Sequence, residues 1–168
     1  MRVASVYAHL VLVSMSNGMS IVLSAALWPA WGFFTGWWYR RKSLSALKRD
    51  CWRLRERRFE ACGVWYDERL RIRRWKDRLP ETGGWFGVSK RQLLGYSPDE
   101  LEHFALECRR GELTHWAILF ATPAFAVWNS GLALLLVTFV GFGASVPFIA
   151  VLRYNRLRVS RIFDRQAP

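Results

Sequence analysis

Residues 132–152 read LALLLVTFVGFGASVPFIAVL, twenty-one residues without a charge, and Arg153-Tyr154-Asn155-Arg156 closes the run. As a helix this stretch rises about 31 Å, the thickness of a bilayer's hydrocarbon core. A tyrosine among arginines at its end marks a membrane–water interface on the basic, cytoplasmic side. Gly141, Gly143 and Ala144 permit close helix packing, and Pro147 bends the span.

Just before it, Asn129-Ser130-Gly131 is an uncharged tight turn. Ahead of that turn, Trp116 and Trp128 bracket a second apolar stretch in which Pro123 predicts a kink. Between the two tryptophans a helix rises only about 18 Å, so either the span begins near Leu113 or the segment is re-entrant. Further upstream, Ser97-Pro98-Asp99-Glu100 is a strong helix start, with Ser as N-cap, Pro at the first helical position and Glu closing a capping box. That helix should run without a break into the apolar stretch.

Residues 3–27 form a third apolar segment, interrupted by His9, Ser14, Ser16, Asn17 and Gly18. Its alternative reading is a cleaved signal peptide, with the small residues Ser24-Ala25-Ala26 near the cleavage point. Trp28, Trp31, Trp37 and Trp38 follow, and then Tyr39-Arg40-Arg41-Lys42, an interface and a cytoplasmic exit. The spacing of Leu44, Leu47, Cys51 and Leu54 predicts a helix over residues 43–62, lying on the membrane or packed against its neighbours. Residues 64–80 are irregular, Glu81-Thr82-Gly83-Gly84 is a turn, and 85–96 shows no period.

Charge is segregated to match. Nineteen of the 25 Lys and Arg lie between Arg40 and Arg110, and twelve of the 13 acids lie between Arg40 and Glu112, for a net charge of +7 over that section. Residues 111–152 carry no Lys or Arg, and five Arg follow from Arg153 on. A basic excess between apolar segments is explained by the positive-inside rule and by anionic lipid headgroups, so no nucleic-acid partner is expected. The three cysteines form no CxxC pair and make no disulfide framework. These features predict an all-α membrane protein with about three transmembrane or re-entrant helices plus interfacial amphipathic helices. It is a single multi-pass domain: a first span (3–27), a basic cytoplasmic section (40–111), a helical hairpin (113–152) and a basic cytoplasmic tail (153–168). Three spans enclose little volume, which leaves room for a homo-oligomer.

Glu112 and His115 are three apart, on one helix face, where charged sequence meets apolar. Imidazole moves protons near neutral pH and a carboxylate can hold its tautomer; the bland alternative is an interfacial ion pair or a helix cap. Glu-x-x-His is half of a di-iron motif, but no second copy exists and no metal is expected. Arg153, Asn155 and Arg156 leave the last span at the level of Glu112, as anchors or as an anion site. Arg73, Arg74, Lys76 and Arg78, with Trp75 as a stacking platform, offer the same alternatives. No GxSxG, P-loop or Rossmann fingerprint occurs in the sequence.

Three phrases occur in order: Leu70-x-Ile72-x-Arg74-Trp75-Lys76-Asp77, then Glu107-x-x-Arg110-x-Glu112-Leu113-x-His115-Trp116, then Val151-x-Arg153-Tyr154-Asn155-Arg156-x-Arg158. On these the chain resembles the glycosyl-4,4'-diaponeurosporenoate acyltransferase family of carotenoid biosynthesis. The resemblance implies a membrane enzyme that moves a fatty acyl group onto a sugar hydroxyl of a glycosylated carotenoid or related glycolipid. The resemblance does not itself name catalytic residues; for such an enzyme the pair above offers His115 as general base on the acceptor hydroxyl, oriented by Glu112. Substrate contacts would come from Arg74, Trp75, Lys76, Arg110, Arg153, Asn155 and Arg156, which would hold an anionic donor headgroup or stabilise the oxyanion. The partners are membrane lipids, the acceptor and an acyl thioester, with no further cofactor. Two other classes fit the bare residues: another lipid-modifying membrane transferase, such as a methyltransferase, and a non-enzymatic membrane scaffold or subunit.

Overall fold

The computed structural model describes residues 13, 15–49, 51–79 and 97–166. Most of the first half of the 3–27 segment, and the 81–84 turn with the stretch after it, lie outside those residues. Five α-helices are described: α1 (Asn17–Arg40), α2 (Leu44–Lys48), α3 (Val64–Glu68), α4 (Pro98–Ala121) and α5 (Gly131–Gln166). Short 3-10 turns at Arg58–Gly63, Ile72–Arg74, Lys76–Arg78 and Thr122–Val127 join them. No strand occurs among the described residues.

Helix α1 starts at Ser16, whose hydroxyl accepts from the Met19 amide. Of the polar residues in the 3–27 segment, Ser16 is thus the cap of this helix and Asn17 its first residue. The tryptophans of residues 28–38, expected at an interface beyond the span, lie within this helix.

Helices α1 and α5 are both long and apolar enough to cross a membrane. Their burial pattern runs opposite to that of a water-soluble core. In α1 the buried residues are Ser20, Ser24 and Thr35, while Val22 and Phe33 are exposed. In α5, Ser145 is fully buried while Leu132, Leu135 and Phe139 are more than two-thirds exposed (71%, 68% and 77%). Large apolar side chains outside and small polar ones inside suit a lipid surround, where hydrocarbon is the solvent and polar groups seek protein. The fold is that of an all-α membrane protein.

Helix α4 begins with the expected box: the Ser97 hydroxyl accepts from the Glu100 amide, and the Glu100 carboxylate accepts from the Ser97 amide. It ends at Ala121, and Pro123 falls in the first turn of the 3-10 segment that follows. Asn129 then turns the chain; its side-chain amide donates to Ser24 Oγ at 2.9 Å and to the Phe125 carbonyl at 2.9 Å, tying the turn to α1. Helix α5 returns antiparallel to α4. Where α1, α5 and the 3-10 turn meet, a Cβ on Gly141 would stand 2.7 Å from Trp28 Cζ2 and 2.8 Å from Thr122 Oγ1, so only glycine fits.

Two expectations are corrected. Residues 43–62 are not one helix: α2 stops at Lys48, and a turn and a 3-10 segment follow. The physical reason is in the site below, where carbonyls of residues 53–55 turn inward to meet arginines. Residues 153–166 are not a tail. Helix α5 continues through them, about 54 Å in all, and Val151 through Leu157 is buried. Leu101, Phe104 and Cys108 pack on Leu152 and Val159 on one side; Tyr66 and Ile72 pack on Val151, Tyr154 and Leu157 on another. The basic section folds around this arginine-bearing half-helix.

Candidate functional site

Arg153 stands at the centre of the molecule, 6% exposed. Its Nε donates to Glu60 Oε1 at 2.5 Å and its Nη2 to Glu60 Oε2 at 3.0 Å, a bidentate pair. Nη1 donates to Glu112 Oε1 at 2.6 Å and to the Arg53 carbonyl at 2.5 Å, and Nη2 also reaches the Arg55 carbonyl at 2.5 Å. A guanidinium has five N–H groups, and these five bonds use them all. Arg156 Nη2 adds the Leu54 carbonyl at 2.7 Å and Glu112 Oε2 at 3.4 Å. Glu60 further accepts from the Tyr66 hydroxyl at 2.6 Å and from the Arg57 amide. Two buried glutamates and two buried arginines therefore balance in charge and are stitched to one loop's backbone.

This loop is held in an unusual shape. Ala61 and Cys62 both adopt left-handed φ (45° and 50°), followed by Gly63 at 89°. Such backbone costs energy for residues with a Cβ; here Arg161 Nε holds the Cys62 carbonyl at 3.1 Å and the Glu56 carboxylate holds its amide at 2.6 Å. Burial alone would push the Glu60 carboxyl up, but the hydrogen bonds from Arg153, Tyr66 and the Arg57 amide outweigh it and hold the group below the usual carboxylate range.

The residues singled out from sequence fall in several places. Glu112, Arg153 and Arg156 come together in the lattice. Asn155 is 1% exposed, with neither amide atom hydrogen-bonded among the described residues. The His115 ring stacks on Phe148, centroids 4.8 Å apart, one turn nearer the membrane than Glu112. Arg110 pairs with Glu107 on the same helix. Trp75 donates from Nε1 to the Leu70 carbonyl at 2.9 Å and packs beside Tyr66 and Tyr154. Lys76 pairs with Asp77, and Arg74 is exposed on the wall of a cavity.

Sequence reading missed Glu60, Tyr66 and Asp67. The signal for a buried acid was present: two arginines three apart on a buried helix, Arg153 and Arg156, need more counter-charge than Glu112 alone supplies. Nothing local selects Glu60, which lies 93 residues from Arg153. Asp67 makes a second, smaller ring: Arg73 Nη2 donates to Asp67 Oδ2 at 2.7 Å, Arg73 Nε to the Tyr154 hydroxyl at 3.0 Å, and that hydroxyl to Asp67 Oδ2 at 3.2 Å.

The comparisons with known proteins agree on one family. The family model described as glycosyl-4,4'-diaponeurosporenoate acyltransferase matches residues 35–165, a range that holds every residue of both rings. The glycosyl-4,4'-diaponeurosporenoate acyltransferase of Staphylococcus haemolyticus (strain JCSC1435) is 28% identical over 108 residues, covering 63% of this chain and 63% of that protein. The protein of the same name from Staphylococcus aureus (strain N315) is 30% identical over 109 residues, 62% of this chain and 64% of that protein. The match therefore spans less than two thirds of either relative's length. No solved structure matches the chain. By the extent of the family match, the chain belongs to the glycosyl-4,4'-diaponeurosporenoate acyltransferase family.

Proposed function

We propose that this protein is a multi-pass membrane enzyme that transfers a fatty acyl group from a thioester to a hydroxyl of a lipid-linked sugar. A glycosylated carotenoid is the acceptor class that the relatives' names point to. The observation that carries the reading is the family match over residues 35–165. Two apolar helices joined to a folded basic section support it, since the reaction joins a membrane-dissolved acceptor to a water-borne headgroup. The basic section and the end of α5 face the cytoplasm, as their Arg content favours.

In this reading His115 is the general base. It takes the proton of the acceptor hydroxyl as that oxygen attacks the thioester carbonyl; the thiolate leaves and is reprotonated. Phe148, stacked on the imidazole, holds the ring flat against α5. Glu112 and Arg153 contribute by position: their bonds to each other and to Glu60 set the height and rotation of the His115 turn of α4 relative to α5. Arg74, Lys76 and Arg110 supply positive charge for the donor's headgroup, Trp75 a platform and Asn155 a polar contact, while Arg156, buried against Glu112 and the Leu54 carbonyl, contributes by position as Arg153 does. The acyl thioester is a co-substrate, and no other cofactor is needed.

The test is expression in a host that makes a glycosylated carotenoid, with lipids profiled by mass spectrometry. A product heavier by one acyl group is expected with the wild type, and an about 100-fold lower yield rate with His115→Ala. No acylated product from the wild type would end the acyltransferase reading; an undiminished one from the variant would end His115's role as base.

A further inference from the structure

Of the apolar stripe Leu44, Leu47, Cys51 and Leu54, Leu47 and Leu54 turn inward and are buried with Leu106 and Leu113 of α4. Trp52 turns the other way and is 61% exposed. Its ring lies 6.3 Å from those of both Trp116 and Phe120. Those two rings stack on each other along α4, and Phe120 is itself half exposed.

The depth of this cluster follows from α1. Trp31 donates from Nε1 to the carbonyl of Ala117, the residue after Trp116, at 3.3 Å. Arg41, which caps α1, stands ten residues beyond Trp31, about 15 Å further along the helix. Trp52 therefore sits beside a turn of α4 that is level with the apolar length of α1, short of its basic exit. The exposed aromatic surface continues through Trp31, Phe34 and Trp38 on α1. Its neighbour is then the solvent of that helix, which is lipid, rather than a second protein; tryptophan settles at such an interface.

Cations frame the same surface. Arg41 lies over the Trp37 ring at 3.9 Å, Lys42 over Trp38 at 4.9 Å and Arg53 over Phe120 at 6.0 Å. The ion pairs among the described residues take other cations. Cations without a carboxylate, set beside interfacial aromatic rings, complement anionic headgroups.

We propose that residues 51–55 form a membrane-dipping loop, in which Trp52 inserts among bilayer phospholipids and Arg53 meets an anionic headgroup. The same loop gives the Arg53 and Arg55 carbonyls to Arg153 and the Leu54 carbonyl to Arg156. Contact with lipid is thereby joined directly to the buried arginines. The proposal rests on α1 and α5 being membrane spans and is independent of the acyltransferase reading.

The experiment places the photo-crosslinking residue p-benzoylphenylalanine at one of three positions in the full chain: Trp52, Phe139 on the exposed face of α5, or His103 near the start of α4. Each protein is reconstituted in vesicles of equal phosphatidylglycerol and phosphatidylcholine and irradiated, and lipid adducts are read by mass spectrometry. Adducts are expected at positions 52 and 139 and not at 103. Those at 52 should favour phosphatidylglycerol, and Arg53→Gln should cut that preference by up to about fivefold. Adducts at 139, with no more at 52 than at 103, overturn the dipping loop. No adducts at 139 overturn the span and the loop with it. An even headgroup ratio that Arg53→Gln does not move overturns the role of Arg53. If Trp52→p-benzoylphenylalanine fails to fold, the natural chain decides. Lipids brominated near the headgroup should quench the emission that Trp52→Phe removes, and unquenched emission overturns the loop.

Discussion

Two rings of arginine, carboxylate and tyrosine lie on the same half of α5, and they differ in what they leave open. Around Arg153, the tyrosine (Tyr66), both carboxylates and two carbonyls are all engaged, and no N–H of the central guanidinium remains. Around Arg73, the tyrosine (Tyr154) and one carboxylate oxygen are engaged, the other oxygen is not, and the arginine side chain is 66% exposed. Identical chemistry serves two ends. A closed ring fixes geometry because any missing member strands a buried charge; a ring whose arginine is exposed loses less, because water screens the charge that remains.

The contrast can be broken by mutation. The largest effect is expected from Arg153→Met, which leaves Glu60 and Glu112 buried without their main cation: a loss of about 3–5 kcal/mol, seen as a large drop in thermal midpoint or as failure to purify folded protein. Next comes a matched pair. Tyr66→Phe removes a hydrogen bond to a buried carboxylate and should lower stability by about 1.5–3 kcal/mol, whereas Tyr154→Phe, whose partner Arg73 is exposed to water, should lower it by about 0.5–1.5 kcal/mol. Equal effects of the two on stability would erase the distinction between the rings.

Acid sharpens it further. Because the folded state holds the Glu60 carboxyl below its ordinary value, its stabilisation is complete above the unfolded value of about 4.3 and is lost as pH falls through the lower, folded one. The thermal midpoint should therefore hold steady down to about pH 5 and fall below about pH 4, and Glu60→Gln should flatten that fall. Smallest of all, Arg74→Ala, an exposed position next to the Arg73 ring but outside it, should change stability by less than about 0.5 kcal/mol. A larger loss would mean that Arg74 is part of the framework.

Much of this was legible in the sequence, and the failures share a cause. Local rules found the Ser97 capping box, the Asn129 turn and the apolar half of α5, because each is decided within a few residues. Glu112, Arg153, Asn155 and Arg156 read as one level because each lies where charged sequence meets an apolar stretch. The same rules read residues 153–168 as a basic cytoplasmic tail, since five arginines in sixteen residues read as surface. They took residues 43–62 for a helix because Leu44, Leu47, Cys51 and Leu54 keep helical spacing. Both errors are undone by bonds that join loop 53–60 to residues about a hundred positions away. The carbonyls that an extended α2 would have used internally are spent on Arg153 and Arg156. No period in the sequence announces such an exchange.

Helix α5 runs unbroken from Gly131 to Gln166, carrying the lipid-facing leucines and the lattice arginines on one rod. Such a rod is a phase lock as well as a ruler. Each residue added between Ser145 and Arg153 would lift the arginines about 1.5 Å and turn them about 100°, so one insertion would swing Arg153 off Glu60, while seven would restore its bearing but set it about 10 Å further from the bilayer. Membrane depth and site assembly are thus read from a single screw thread, and neither can drift in evolution without the other.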